Sequence, residues 1–288
     1  IPPGARKVRI WLPLPRTDET QEITNLKVEA PVAHRETRDK VYGNRLAYLE
    51  IDGPAPAEIP IKVSLDARRL ETRSTMPGAE GASRARLLEG DKLAPVGGEA
   101  AVRGEEAVKN AASAGSDASQ AKAHAIYNRV LADVSYDKSG EGWGRGDLRH
   151  VCEVGKGNCS DFHALFIAMA RSQAIPAVFE IGFSIPADKD EGTIGGYHCW
   201  AWYEDVPGVF RPVDASEADK DPTKVEYYFG TLCPNRIAFS KGRDIVLEPP
   251  QAGDPLNFLI YPHVEVDGKP DAAQVERTFT FKDSKKPD

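Results

Sequence analysis

The amino-acid sequence predicts an α+β protein: a helix bearing a cysteine at its start packs on an antiparallel sheet, and a small β-sandwich-like domain precedes it. Three observations predict this. First, Phe162, Leu165, Phe166 and Met169 recur at i, i+3, i+4 and i+7, which makes one face of a helix apolar. Second, residues 5–72 hold several short runs of period-two alternation bounded by Pro, Gly and Asn. Third, two strand-like runs, Tyr197–Tyr203 and Val209–Asp214, flank a short segment containing Pro207-Gly208, as in an antiparallel hairpin.

The first unit spans residues 1–73. Val8, Ile10 and Leu12 alternate, and further strand runs are Ile23–Val28, Arg45–Ile51 and Ile59–Leu65. No cluster of reactive residue types occurs there, so its expected role is packing or binding. Residues 74–103, rich in Gly, Ala and Glu without a sustained period, read as a connecting segment. The third unit, residues 104–288, opens with a helix on which Ala123, Ile126, Tyr127, Val130 and Val134 keep helical spacing, with Ser116 and Asp117 as its caps. A glycine-dense loop, Gly140 to Asp147, follows and carries Trp143. The Phe162 helix ends before Ala174-Ile175-Pro176. Val178–Ile185 and the hairpin are strands, and Val225–Phe229, Arg236–Phe239, Asp244–Leu247, Phe258–Val266 and Val275–Phe281 also read as mostly strand.

With 288 residues, 41% hydrophobic content and a net charge of −7, the chain has an ordinary globular composition, and its acidity argues against nucleic acid as the main partner. No apolar run approaches the ~20 residues of a membrane span. The four cysteines, Cys152, Cys159, Cys199 and Cys233, are too few and scattered for a disulfide framework. The chain begins at Ile1 rather than Met, which favours a trimmed leader and an extracytoplasmic location. Oligomeric state is not legible.

The chemistry centres on Cys159. Asn158 stands at the N-cap with Asp161 three residues on, and Gly155 and Gly157 let the chain turn into the helix. The first-turn N–H groups and the helix dipole there favour a thiolate. In the hairpin, if Tyr203 opposes Val209, constant register places His198 opposite Asp214, close enough for a carboxylate to orient the imidazole. Cys159, His198 and Asp214 are then nucleophile, base and orienting acid. The acidic loop residues Asp188, Asp190 and Glu191, just before the base, would suit a primary ammonium. A metal centre is the competing reading, since Cys152, Cys159, His163, His198 and Cys199 are all ligand types. Their spacing lacks the two tight pairs of a zinc site, so no metal and no cofactor is expected.

Four motifs in order make the sequence resemble the transglutaminase-like superfamily, its bacterial branch more closely: Gly157-Asn158-Cys159-Ser160-Asp161-Phe162, Ala174-Ile175-Pro176-Ala177, Gly196-Tyr197-His198-Cys199-Trp200 and Pro212-Val213-Asp214-Ala215-Ser216. The resemblance runs from about Tyr136 to Tyr261. It implies a papain-like core with the nucleophile opening a helix and His and Asp on the sheet, which again selects Cys159, His198 and Asp214. It also implies a tryptophan upstream of the cysteine that stabilises the oxyanion, for which Trp143 is the candidate. The activity implied is acyl transfer on peptide or protein amides, to water as a peptidase or amidase, or to a primary amine as a transglutaminase. A binding scaffold that keeps the fold without catalysis is the alternative. No acidic loop of EF-hand type is present, so calcium dependence is not expected.

Overall fold

The structure, a computed structural model, describes residues 1–73, 76–77, 82–109, 111, 118–270 and 272–284. Ser116 and Asp117 lie outside the described residues.

The N-terminal strand Lys7–Leu14 alternates, so Val8, Ile10, Leu12 and Leu14 share one face and Trp11 lies on the other. It is central in a five-stranded antiparallel sheet ordered Lys269–Pro270, His263–Val266, Lys7–Leu14, Arg45–Asp52, His34–Arg38. The Val8 face packs beneath a two-stranded ribbon, Gln21–Glu29 with Lys62–Arg69, which contributes Leu26 and Val28 to a shared core. This is the sandwich-like unit. It includes His263–Val266, from the far end of the 104–288 segment, which pairs with Lys7–Leu14 through Val8↔Val266 and Ile10↔Val264. Strand pairing is non-local, so no signal near residue 263 reports it.

The second sheet, also antiparallel, is ordered Arg236–Lys241, Ala177–Ser184, Tyr197–Val206, Val209–Val213, Met76–Pro77. One of its faces buries Trp200 and Trp202 with Trp11 and Tyr48 of the first sheet. The other face receives the helix Cys159–Ser172. Every residue of that helix from Cys159 to Arg171 is buried, more than the apolar stripe requires. Helices Glu99–Val108, Ala118–Asp133, Leu148–Val154 and Ala215–Lys220 cover the sides that the sheet leaves open. An apolar stripe marks where a helix meets its sheet, and the small residues Ala164, Ala168 and Ala170 accommodate the other neighbours.

Two further expectations change. The segment 74–103 is not merely a connection: it supplies the edge strand Met76–Pro77 and the start of the helix Glu99–Val108. That helix lies so close to the central one that a Cβ on Gly104 would stand 2.6 Å from Ser172 Oγ and 3.1 Å from the Met169 carbonyl oxygen. Val225–Tyr228 is a short helix rather than a strand. Its aromatic content favours β structure, but Asp221 caps the preceding turn by accepting from Thr223 N–H, and Pro222 starts it. Among the described residues no helix is long and apolar enough to cross a membrane, and all four cysteines are free thiols.

Candidate active site

The start of the Cys159 helix is fixed by its cap. Asn158 Oδ1 accepts from Ser160 N–H at 2.8 Å, and Asp161 Oδ2 reaches back to accept from Asn158 N–H at 2.9 Å. Asp161 also accepts from Gly144 N–H at 2.6 Å and Gly146 N–H at 2.9 Å. The capping carboxylate thus clamps the glycine loop to the helix start. Gly144 and Gly146 have φ of +83° and +57°, backbone that glycine adopts without strain. Tyr197 closes the same corner: its hydroxyl accepts from Asn158 Nδ2 at 3.0 Å, donates to the Gly144 carbonyl at 3.2 Å and lies 3.1 Å from Ser160 Oγ.

His198 and Asp214 meet, although not by the register the sequence suggests. Tyr203 opposes Arg211, not Val209, because Val206 pairs with Val209 across Pro207-Gly208 and a bulge intervenes between Glu204 and Val206. The offset is two residues, which preserves the face. Asp214 leaves the strand as the N-cap of the helix Ala215–Lys220, and its Oδ2 accepts from His198 Nε2–H at 2.8 Å. Its Oδ1 accepts from Ser216 Oγ and Glu217 N–H, each at 3.1 Å. The Asp214 carboxylate is fully buried, and His198 is 5% exposed.

With Nε2 committed, Nδ1 is the ring nitrogen left to face Cys159, and the His198 charge is close enough to lower that thiol. The strand Val209–Val213 pairs with Tyr197–Val206 only from Ala201 onward, so the edge at His198–Trp200 is open to the helix start. There the Cys199 thiol lies 3.8 Å from Ser160 Oγ and 3.7 Å from His163 Nδ1, against the first turn of the helix. Strand alternation sends His198 and Cys199 to opposite faces, so Cys199 meets the helix while His198 meets Asp214.

The electrostatics favour a thiolate–imidazolium pair. Burial alone pushes the Cys159 thiol up, but hydrogen bonds from Cys199 and His198, with the His198 charge, hold it well below the usual thiol range. Burial opposes the charge on His198 as well, and the Asp214 charge and hydrogen bond, followed by Cys159, outweigh it and raise the imidazole to about 10. Cys199 is pushed well up, first by burial and then by Cys159, so it stays a neutral S–H donor to its neighbour.

Two residues were not legible as site residues in the sequence. Arg236, on the outer strand, is 1% exposed and donates from Nη1 to Asp214 Oδ2 at 2.9 Å, sharing that oxygen with His198. Its guanidinium lies 4.8 Å from the Trp200 ring. Burial pushes the Asp214 carboxyl up, yet the charges of His198 and Arg236 hold it far below the carboxylate range. His163, read above only as a possible ligand, is a neutral brace. Ala215 N–H donates to its Nε2 at 3.1 Å, so the proton is on Nδ1, which donates to the Cys159 carbonyl at 2.8 Å. One ring therefore ties the residue after Asp214 to the backbone of Cys159. Burial drives the His163 pKa down to about 4, against the pull of Asp214. Cys159 and Asp161 on its helix gave a signal through the cap; His163, one turn on, had none that told a brace from a ligand.

Trp143 is half-buried in the glycine loop with its ring 5.7 Å from Lys138 Nζ. Lys138 Nζ is in turn 5.8 Å from the Tyr136 ring, against which Lys220 Nζ packs at 3.9 Å. The Trp143 ring contact thus runs along the loop toward Lys138. Cys152 lies apart, its carbonyl accepting from Arg103. Among the described residues no three His, Cys, Asp or Glu stand as a metal-ligand group.

Parts of the chain have known counterparts. Residues 106–215 match the family model of the transglutaminase-like superfamily. An uncharacterized Haemophilus influenzae protein is 29% identical over 181 residues, 52% of this chain and 49% of that protein. The match therefore spans about half the length of each. Among solved structures, a candidate cysteine protease from Cytophaga hutchinsonii superposes with a TM-score of 0.62 at 13% identity, over 99% of this chain and 89% of that one. At that identity the likeness is one of fold, and it covers both sheets. The periplasmic domain of TgpA from Pseudomonas aeruginosa, 15% identical over 79% of this chain and 75% of its own, has a TM-score of 0.38, too low to carry an argument.

Proposed function

We propose that this protein is a cysteine-dependent acyl transferase acting on peptide or protein amides, with Cys159 as nucleophile, His198 as acid and base and Asp214 as the orienting carboxylate. One observation carries the reading: the His198 imidazole, held at Nε2 by Asp214 at 2.8 Å, stands near enough to a thiol that opens a capped helix for its charge to favour the thiolate.

In the first half-reaction the Cys159 thiolate attacks the amide carbon. The oxygen that becomes negative is stabilised by the backbone N–H of Cys159, which as the first helical N–H has no acceptor one turn behind it. The indole N–H of Trp143 is the candidate for a second donor to that oxygen. His198, as the imidazolium, gives its Nδ1 proton to the departing amine as the C–N bond breaks, and a thioester remains. In the second half-reaction, water or a primary amine attacks that thioester. His198 takes the attacker's proton and the thiolate leaves.

The test is product analysis on a glutamine-containing protein, with and without an added primary amine. Release of ammonia or of peptide fragments, lost in Cys159→Ala, supports the reading. Incorporation of the amine selects transamidation, and new termini or glutamate select hydrolysis. No turnover of peptide amides under either condition, with the thiol intact, would favour a binding scaffold.

A further inference from the structure

Beside the site, the segment before the base and the segment before the last strand enclose a cleft of about 200 Å³. Its walls include Gly195, Gly196, Tyr261, Arg277 and Phe279. The strand Glu191–Thr193 pairs with Thr280–Lys282, and Ile194 N–H donates to the Phe279 carbonyl at 2.9 Å, which holds the two walls together. Glu191 is committed to Lys282 at 3.3 Å. No acidic residue lines the cleft among the described residues.

The cleft offers positive charge instead. The Arg277 guanidinium stacks on the Tyr261 ring with 3.8 Å from its central carbon to the ring centroid. Among the described residues Arg277 has no carboxylate partner, and the N–H groups of Gly195 and Gly196 donate to no protein acceptor. Neither glycine has a heavy atom within 4 Å of where its Cβ would be, so a ligand can approach the backbone. Stacking leaves the guanidinium edge free, and that edge matches a carboxylate with two parallel N–H donors.

The cleft is connected to the nucleophile. Tyr261 lies 6.2 Å, ring to ring, from Tyr197, whose hydroxyl bonds Asn158 and Ser160 on either side of Cys159. Phe279 and Phe183, 4.5 Å apart, continue the same aromatic floor.

We propose that this cleft is a carboxylate-recognising subsite, in which Arg277 binds the carboxylate of a peptide whose amide is presented to Cys159. The inference rests on the proposed acyl-transfer reading for its role, but binding is measurable without turnover. The carboxylate has two sources, a chain terminus or an acidic side chain.

The experiment uses the Cys159→Ala protein and isothermal titration with three probes: acetyl-Gly-Gln-Gly with a free C-terminal carboxylate, its C-terminal amide, and amidated acetyl-Gly-Gln-Glu. At least tenfold tighter binding of a carboxylate probe than of the neutral amide is expected. The preferred carboxylate probe identifies the source. Arg277→Gln should abolish the preference, Arg277→Lys should keep part of it, and raised salt should weaken it. Equal binding of all three probes, a preference that survives Arg277→Gln, or no binding by any probe up to 10 mM (about the weakest affinity worth calling a subsite) overturns the subsite. Absence of turnover in the wild type alongside an intact preference would instead count against the acyl-transfer reading alone.

Discussion

Replacing Asp214 by Asn removes one charge from a buried cluster and keeps its shape. In the wild type, Asp214 Oδ2 accepts from His198 at 2.8 Å and from Arg236 at 2.9 Å. Asp214 is the leading opponent of burial on His198, whose pKa it and Cys159 raise from 6.5 to about 10. That span corresponds to roughly 5 kcal/mol, at about 1.36 kcal/mol for each tenfold change in proton affinity. In the Asp214→Asn protein burial prevails, so the imidazole is neutral at pH 7, and the thiolate loses the charge that stabilised it. A kcat lower by on the order of 10³–10⁴-fold is expected, the scale seen when an orienting acid is neutralised in a triad. Removing one partner of a buried pair also leaves Arg236 uncompensated, at about 3–5 kcal/mol of stability. Thermal unfolding must therefore accompany the kinetics, with assays run well below the midpoint. The assay is ammonia or amine release from a glutamine peptide amide, paired with the pH dependence of Cys159 alkylation. A folded Asp214→Asn protein with unchanged kcat, or with an unchanged alkylation profile, would refute the reasoning.

Three further outcomes concern the thiols, the buried histidines and the helix packing. Cys159 should react faster than Cys152 with a small neutral alkylating reagent at pH 6, as read by peptide mass spectrometry, because burial pushes Cys152 up while His198 and Cys199 hold Cys159 down. His163, at about 4 folded against 6.5 unfolded, should make the fold lose up to about 3 kcal/mol as pH falls from 6.5 through 4, since the unfolded chain takes up the proton first. His163→Gln should flatten that part of a melting-temperature profile. His198, raised, works in the opposite sense: its contribution is full below 6.5 and is lost as pH rises through about 10. Gly104→Val should destabilise by about 1–3 kcal/mol in denaturant unfolding, because the added atoms meet Ser172 Oγ and the Met169 carbonyl, and it should leave the pH profile of activity in place.

What was legible from sequence was local. Asn158, Asp161 and the glycines around them announce a helix start within a few residues, and a cysteine there has one chemical meaning beyond packing. The hairpin of His198 and Asp214 was legible as a pair because its turn is short. The tight turn at Val206–Val209 and the bulge at Asp205 together leave the register two residues from the expected one, an offset that alternation tolerates, and a one-residue slip would have separated them. What was not legible depends on distant segments. Arg236 reaches Asp214 from another strand, His163 acts through backbone atoms, and His263–Val266 joins a sheet that begins at residue 7. The helix Glu99–Val108 escaped because Gly104, needed for close packing, weakens the helical pattern it interrupts.

The central claim, that acyl transfer passes through Cys159, is tested most directly by trapping the intermediate. The protein is mixed with a glutamine peptide amide, quenched in acid within the first turnover and mapped by mass spectrometry. An acyl adduct on Cys159, minus the mass of the released amine and absent from Cys159→Ala, is the predicted result. An adduct on Cys152, Cys199 or Cys233, or turnover that persists in Cys159→Ala, would contradict it.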